Sequence, residues 1–388
     1  MVGLPARRSV AALALVAALA ALAGCAGAPA APSRPPAAAP TATPPPPDPI
    51  VVEADRRLAA MTLREKVGSM IMMHVGGDEA GPLRDAIDRD GLAGLILMDD
   101  NVGSVDETRE LVAGLSADPA LPALTAVDQE GGLVARLRDR GPAAAELRGE
   151  PAAETAAAFA ERGDLVARAG IAINFGVVAD VTDDRGAFIW ERTLGDDAGS
   201  ASPRVAAAVS GEHGAVLSTL KHFPGHGAVD GDSHDSLPTT DLSLARWSAE
   251  VAPPFQAGID AGAELVMFGH LRFTAVDGDP ATLSPEWHRI LRQQLGFDGV
   301  IVTDDLNMLE YSGIPRFGDR TNNAVRAVAA GNDLLLYVGP VKPRKIVDAV
   351  TEAVEKGEIA ESTIDAAAHR LLMMRLRLAE RQAAQAAG

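Results

Sequence analysis

From about residue 50 onward the sequence alternates between short apolar runs that read as β-strands and longer amphipathic runs that read as helices, eight times over. The apolar runs span 70–75, 94–98, 123–127, 171–178, 216–220, 265–268, 299–303 and 333–338. Helical patterns at 154–169, 203–215, 244–261, 285–295 and 322–330 lie between them, several with a glycine that stops the helix nearby: Gly170, Gly262, Gly296 and Gly331. Eight such units in succession predict a single closed parallel (β/α)8 barrel of the TIM type, with a doubly wound open sheet as the alternative. The two differ in where polar residues fall. A barrel places them after many strands, an open sheet near one switch point. Here Asp128 follows the third run, Asp180 the fourth, Lys221 and His222 the fifth, His270 the sixth, and Asp304 and Asp305 the seventh, which favours the barrel.

Composition narrows the partners. With 47% hydrophobic and 23% charged residues the chain is globular rather than disordered or multi-spanning. Its 35 Lys and Arg against 53 Asp and Glu give a net charge of -18, a field that repels phosphate backbones and excludes nucleic acid as a partner. The single cysteine, Cys25, rules out an intramolecular disulfide and a cysteine-based metal cluster.

Arg7 and Arg8 precede an apolar run over 10–23, too short for a membrane span but suited to an export signal. Leu22-Ala23-Gly24-Cys25 follows and resembles the bacterial lipobox, in which the cysteine is lipidated and becomes the first residue. The expectation is a signal over 1–24 and lipidation at Cys25. The folded part would then be exported and held at the cell membrane, facing the cell wall. A simple cleaved signal with an incidental cysteine is the plainer alternative. Residues 25–49 are dominated by Ala, Pro, Ser and Thr and cannot bury a core, so they read as an extended tether ahead of a folded region over 50–388. Stiff polyproline-like chain of this length reaches up to about 70 Å.

The densest chemistry lies in Lys221-His222-Phe223-Pro224-Gly225-His226-Gly227, followed by Asp230, Asp232, Ser233 and His234. The i, i+4 spacing of His222 and His226 suits a helical metal site, but the intervening proline and glycine oppose the helix, leaving a loop-built zinc site as a minor alternative. The reading adopted is a flexible Gly-rich loop over the barrel mouth. In it Asp232 hydrogen-bonds one nitrogen of His234, fixing its tautomer and raising its basicity for proton transfer; a simple surface histidine is the alternative. At the seventh strand, Thr303-Asp304-Asp305 ends a buried run, and side-chain alternation predicts that, if the strand continues that far, at most one of the two aspartates enters the mouth and the other takes a structural hydrogen-bonding role. A carboxylate there, opposed by a mobile proton donor, fits retaining glycoside hydrolysis.

Together these segments resemble glycoside hydrolase family 3, in particular its single-domain bacterial β-N-acetylglucosaminidases, over most of residues 55–340. The motifs that carry the resemblance are Asp128-Gln129-Glu130-Gly131-Gly132, the Lys221–Gly227 segment, Asp232-Ser233-His234 and Thr303-Asp304-Asp305-Leu306-Asn307-Met308. The resemblance implies Asp304 as nucleophile, Asp232 and His234 as an acid/base dyad, and Asp128, Arg136, Arg192, Lys221 and His222 as sugar-binding residues. The chain departs from the family at Leu133, where arginine is frequent, at Ala228, where aspartate is usual, and at Glu191, where asparagine is common. The resemblance further implies a monomer that needs no cofactor or metal and removes terminal N-acetylglucosamine from muropeptides. Phosphorolysis, β-glucosidase activity and a non-catalytic sugar-binding lipoprotein are the alternatives.

Overall fold

The computed structural model describes residues 47–387. The expected export signal, Cys25 and nearly all of the expected tether lie outside the described residues. Eight strands form one parallel sheet: β1 Ile71–Met73, β2 Gly94–Ile96, β3 Leu124–Val127, β4 Ile173–Val178, β5 Leu217–Phe223, β6 Leu265–Phe268, β7 Val300–Thr303 and β8 Leu335–Tyr337. Each pairs with its sequence neighbours, and β1 pairs with β8. Between β7 and β8 a parallel bridge joins Val302 to Leu334, while Thr303 N–H donates to Leu334 C=O at 3.0 Å. The sheet therefore closes on itself, and the barrel expected from the alternation is the fold.

The helices wrap the outside, and local chemistry sets their ends. The helix Val105–Ala113 begins in a Ser104/Glu107 capping box, and Asp319 caps Arg320–Ala330 through the N–H groups of Thr321 and Asn322. The pattern over 244–261 resolves into two helices, Leu244–Glu250 and Ala252–Asp260. Pro253 and Pro254 lack N–H groups, so they are tolerated only in a fresh first turn and the helix restarts there. The helix expected at 203–215 spans Ala198–Glu212 instead, because Asp197 caps it six residues before Pro203. At the N-terminal edge, Asp48 caps Pro49–Ala60, whose Ala54 packs against Leu372 and Leu376 of the long C-terminal helix Glu361–Ala387.

Between β5, β6 and the outer helices lies an aromatic cluster. Phe223 contacts Trp247, Phe255, Phe268 and Trp287 at centroid distances of 4.8–5.8 Å, and Trp247 Nε1–H donates to Pro224 C=O at 2.7 Å. Tilted and edge-to-face rings at these distances reinforce the burial, and they pin the end of β5, from which Lys221, His222, Asp232 and His234 issue.

The staves sit close. A β-carbon on Gly94 would stand 1.7 Å from Leu124 C=O on β3, a backbone atom that cannot yield without opening the barrel. Gly94→Ala is therefore expected to cost at least about 3 kcal/mol, read as a drop in the denaturation midpoint against Gly149→Ala, where nothing lies within 4 Å.

Candidate active site

The strand ends converge on a cavity of about 700 Å³, within the range of small-molecule sites. Its wall includes Asp128, Arg136, Arg192, Lys221, His222 and Asp304, with His234 at the mouth. Seven of the sequence-predicted site residues thus meet in one place. Asp232 stands just behind His234.

The floor is an ion network. Lys221 Nζ lies 2.7 Å from Asp128 Oδ1 and 2.7 Å from Glu130 Oε1, and Arg192 grips both Glu130 oxygens at 2.7 and 2.8 Å. Burial alone would raise the Glu130 carboxyl, but the Lys221 and Arg192 charges outweigh it and bring it down to about 2. Burial likewise opposes the charge of Lys221, yet Asp128 and Glu130 push its ammonium up. Glu130 and Lys221 are thus held in their charged forms at neutral pH, which suits a surface that must orient hydroxyl and amide groups without reorganising. Arg136 reaches Asp99 at 3.3 Å beside it.

Asp180, at the end of β4, is fully buried and organises the next layer. Its carboxylate accepts from His222 N–H, from His222 Nδ1–H at 2.8 Å and from His226 N–H at 2.6 Å. His222 is thereby oriented with Nε2 toward the cavity and Arg192. Burial raises the Asp180 carboxyl, but the two histidines and their N–H groups hold it below the usual range.

Two expectations are corrected here. Lys221 and His222 belong to β5 itself, which runs three residues beyond the predicted end, because both side chains find buried acidic partners that an apolar pattern does not register. The segment after them is not a loose flap. His226 is 2% exposed, bonded at Nε2 to Ser233 Oγ at 3.0 Å, and burial with the adjacent His222 lowers its imidazole to about 4, so it is neutral at physiological pH. The peptide bonds Lys221–His222 and Phe223–Pro224 are cis.

On β7, Asp304 follows the last strand residue. Its N–H donates to Phe268 C=O at 2.9 Å, and its Oδ1 accepts from Asp305 N–H at 2.8 Å. Burial would raise this carboxyl, but His222, His270, the Asp305 N–H and Lys221 together hold it below the ordinary value. It is an anion across the neutral range, as a nucleophile must be. Asp305 also lines the cavity, as the condition for only one aspartate entering it, a strand continuing past Asp304, is not met. The strand ends at Thr303, so strict alternation no longer applies. The Asp305 oxygen is occupied, accepting from Asn307 N–H and Val338 N–H at 3.1 Å each, and burial raises its carboxyl. This is the structural hydrogen-bonding role expected for the second aspartate. His270 is bound between Thr282 Oγ1 and Asp305 C=O and braces the same turn.

The dyad has the expected geometry. His234 Nδ1 lies 2.6 Å from Asp232 Oδ1, which also accepts from His234 N–H at 2.9 Å. The His234 side chain is 61% exposed, leaving Nε2 free to meet a ligand. Burial raises the Asp232 carboxyl, but both contacts from His234 lower it further than burial lifts it. Three exposed hydrophobic side chains rim the same mouth: Leu133, Phe188 and Tyr311. Sequence reasoning noted Asp180 only as a strand-end residue and Glu130 only within a motif, and passed over Phe188 entirely.

A family model described as the glycosyl hydrolase family 3 N terminal domain matches residues 62–374. The chain belongs to glycosyl hydrolase family 3. It is a glycoside hydrolase. A beta-hexosaminidase of Xanthomonas oryzae pv. oryzae is 38% identical over 257 residues, covering 62% of this chain and 75% of that protein. Among solved structures, a family 3 beta-N-acetylglucosaminidase from Paenibacillus sp. superposes with a TM-score of 0.77 at 34% identity, over 84% of this chain; this chain spans 63% of that protein. A beta-N-acetylhexosaminidase from Beutenbergia cavernae superposes with a TM-score of 0.71 at 29% identity, over 81% of this chain and 98% of that one.

Proposed function

We propose that the protein is a retaining exo-β-N-acetylglucosaminidase that works by double displacement. The observation that carries this reading is that Asp304, an anion at the end of β7, and His234, oriented by Asp232 on the loop after β5, open on one cavity with a charged floor. In the first step an Asp304 oxygen bonds to the anomeric carbon as the glycosidic bond breaks, and His234 gives its Nε2 proton to the departing oxygen. In the second, neutral His234 takes a proton from water, whose oxygen displaces Asp304. Asp128, Arg136, Arg192, Lys221 and His222 hold the sugar hydroxyls and acetamido group. The beta-hexosaminidase and beta-N-acetylglucosaminidase relatives support N-acetylglucosamine as the sugar.

The test is turnover of aryl β-N-acetylglucosaminide against aryl β-glucoside. A preference of about 100-fold or more for the former is expected. Equal rates would contradict the sugar assignment, and acceleration by phosphate with release of sugar 1-phosphate would contradict hydrolysis.

The export signal and lipobox support a place outside the cytoplasm, with muropeptides as the natural substrates. On this reading Cys25→Ser turns a membrane-associated protein into a soluble one with unchanged specific activity, assayed by detergent partitioning. A variant that stayed in the detergent phase would overturn the anchor.

A further inference from the structure

Asp232 fixes the His234 ring relative to its own loop, since the two stand only two residues apart. It does not by itself fix the ring relative to Asp304, on the far side of the cavity mouth. Loop 229–238 contains no helix or strand, and its backbone is held from outside: Ser233 Oγ meets the buried His226 Nε2 at 3.0 Å, Asp230 bridges to Thr239, and Pro238 C=O accepts from Arg272 N–H at 2.9 Å. The His234 ring itself projects from this frame, 61% exposed, and needs a further contact to stand in one place.

Phe188, on the loop after β4, meets that need. Its ring lies 5.6 Å from the His234 ring at an interplanar angle of 73° and 5.5 Å from His226 at 48°. Its other neighbour is the Arg192 guanidinium at 5.4 Å, part of the ion network of the floor. Phe188 also lines both the main cavity and a smaller one of about 380 Å³ behind the dyad, so it forms the wall between them. The segment that carries it is braced: Ile189 is buried, the Trp190 ring lies 4.0 Å from the Arg148 guanidinium, and Arg148 also bonds Asp196 and Thr193. A phenylalanine 41% exposed beside charged groups gains little from burial. Its ring contacts account for its place, since edge-to-face pairs at these distances are directional.

We propose that Phe188 is a positioning residue for proton transfer, setting the His234 imidazole from the braced loop after β4. The inference rests on the reading of His234 as acid/base. Phe188 itself touches no reacting atom in this role. What it controls is the fraction of time the donor stands in reach of the glycosidic oxygen, so its removal matters most where protonation limits the rate.

The experiment compares kcat/KM, which reports the first step, for an aryl N-acetylglucosaminide with an acidic phenol leaving group and for chitobiose, whose leaving group is a sugar. Phe188→Ala is expected to lower kcat/KM for chitobiose by about 10-fold, near the upper end of one aromatic contact, and for the aryl substrate by less than about 2-fold. Phe188→Tyr keeps the ring and should stay near wild type on both, and Phe188→Leu should fall between. Equal losses on the two substrates, or none, would overturn the inference. His234→Ala is run alongside. If His234→Ala discriminates between the substrates and Phe188→Ala does not, only the positioning role falls. If His234→Ala also fails to discriminate, the acid/base reading falls and takes this role with it.

Discussion

Asp304→Ala is expected to lower kcat by about 10³-fold or more while leaving the fold intact. The carboxylate sits at the open end of β7, and among the described residues its only hydrogen bond is from the N–H of the next residue. The bonds that hold the turn belong to the backbone, Asp304 N–H to Phe268 C=O and Leu306 N–H to Leu336 C=O, and survive truncation of the side chain. Removing a buried anion also relieves the desolvation that its neighbours now offset. Circular dichroism and the melting midpoint should therefore stay near wild type while turnover is lost. Asp305→Ala provides the contrast. It strips the acceptor from Asn307 N–H and Val338 N–H, so it should lower the midpoint more than Asp304→Ala does. An Asp304→Ala enzyme with wild-type turnover would remove this residue from the nucleophile's role.

His234→Ala carries the second large effect, and it is uneven. A sugar leaving group departs as a strongly basic oxygen and needs the proton, so loss on chitobiose of about 10²–10⁴-fold is expected. An acidic phenol departs nearly unaided, so the first step on an aryl glycoside should survive. The second step still lacks its base. A burst of phenol equal to the enzyme concentration, followed by slow turnover, is then expected, with azide able to replace water as nucleophile. His226 is an unsuitable substitute: it is buried, bonded to Ser233, and held neutral at physiological pH. A proportional loss on both substrates with no burst would move the acid/base role to another group such as Asp230.

The barrel was legible because its signal is periodic. Eight apolar runs, five of them followed by chemically versatile polar residues, allow few other arrangements, and Asp128, Asp180, Lys221, His222 and Asp304 all fell at strand ends. The dyad was legible because Asp232 and His234 are neighbours in the chain as well as in space. Contacts between distant segments were not. Arg192 with Glu130, 62 residues apart, and Phe188 with His234 on a different loop leave no local pattern. Burial of His226 was missed for a related reason: three glycines in the surrounding segment suggest looseness, whereas Gly227 is there because a β-carbon would stand 2.0 Å from Val181 C=O. Close approach and flexibility use the same residue.

Double displacement requires a covalent bond between the sugar and Asp304. His234→Ala, mixed with an aryl N-acetylglucosaminide and quenched in acid during the burst, is digested and its peptides are weighed by mass spectrometry. One added N-acetylglucosaminyl unit is expected on the peptide that contains Asp304, localised to that carboxylate by fragmentation and absent from the Asp304→Ala/His234→Ala double variant. An adduct on another residue, or a burst with no adduct at all, would contradict it.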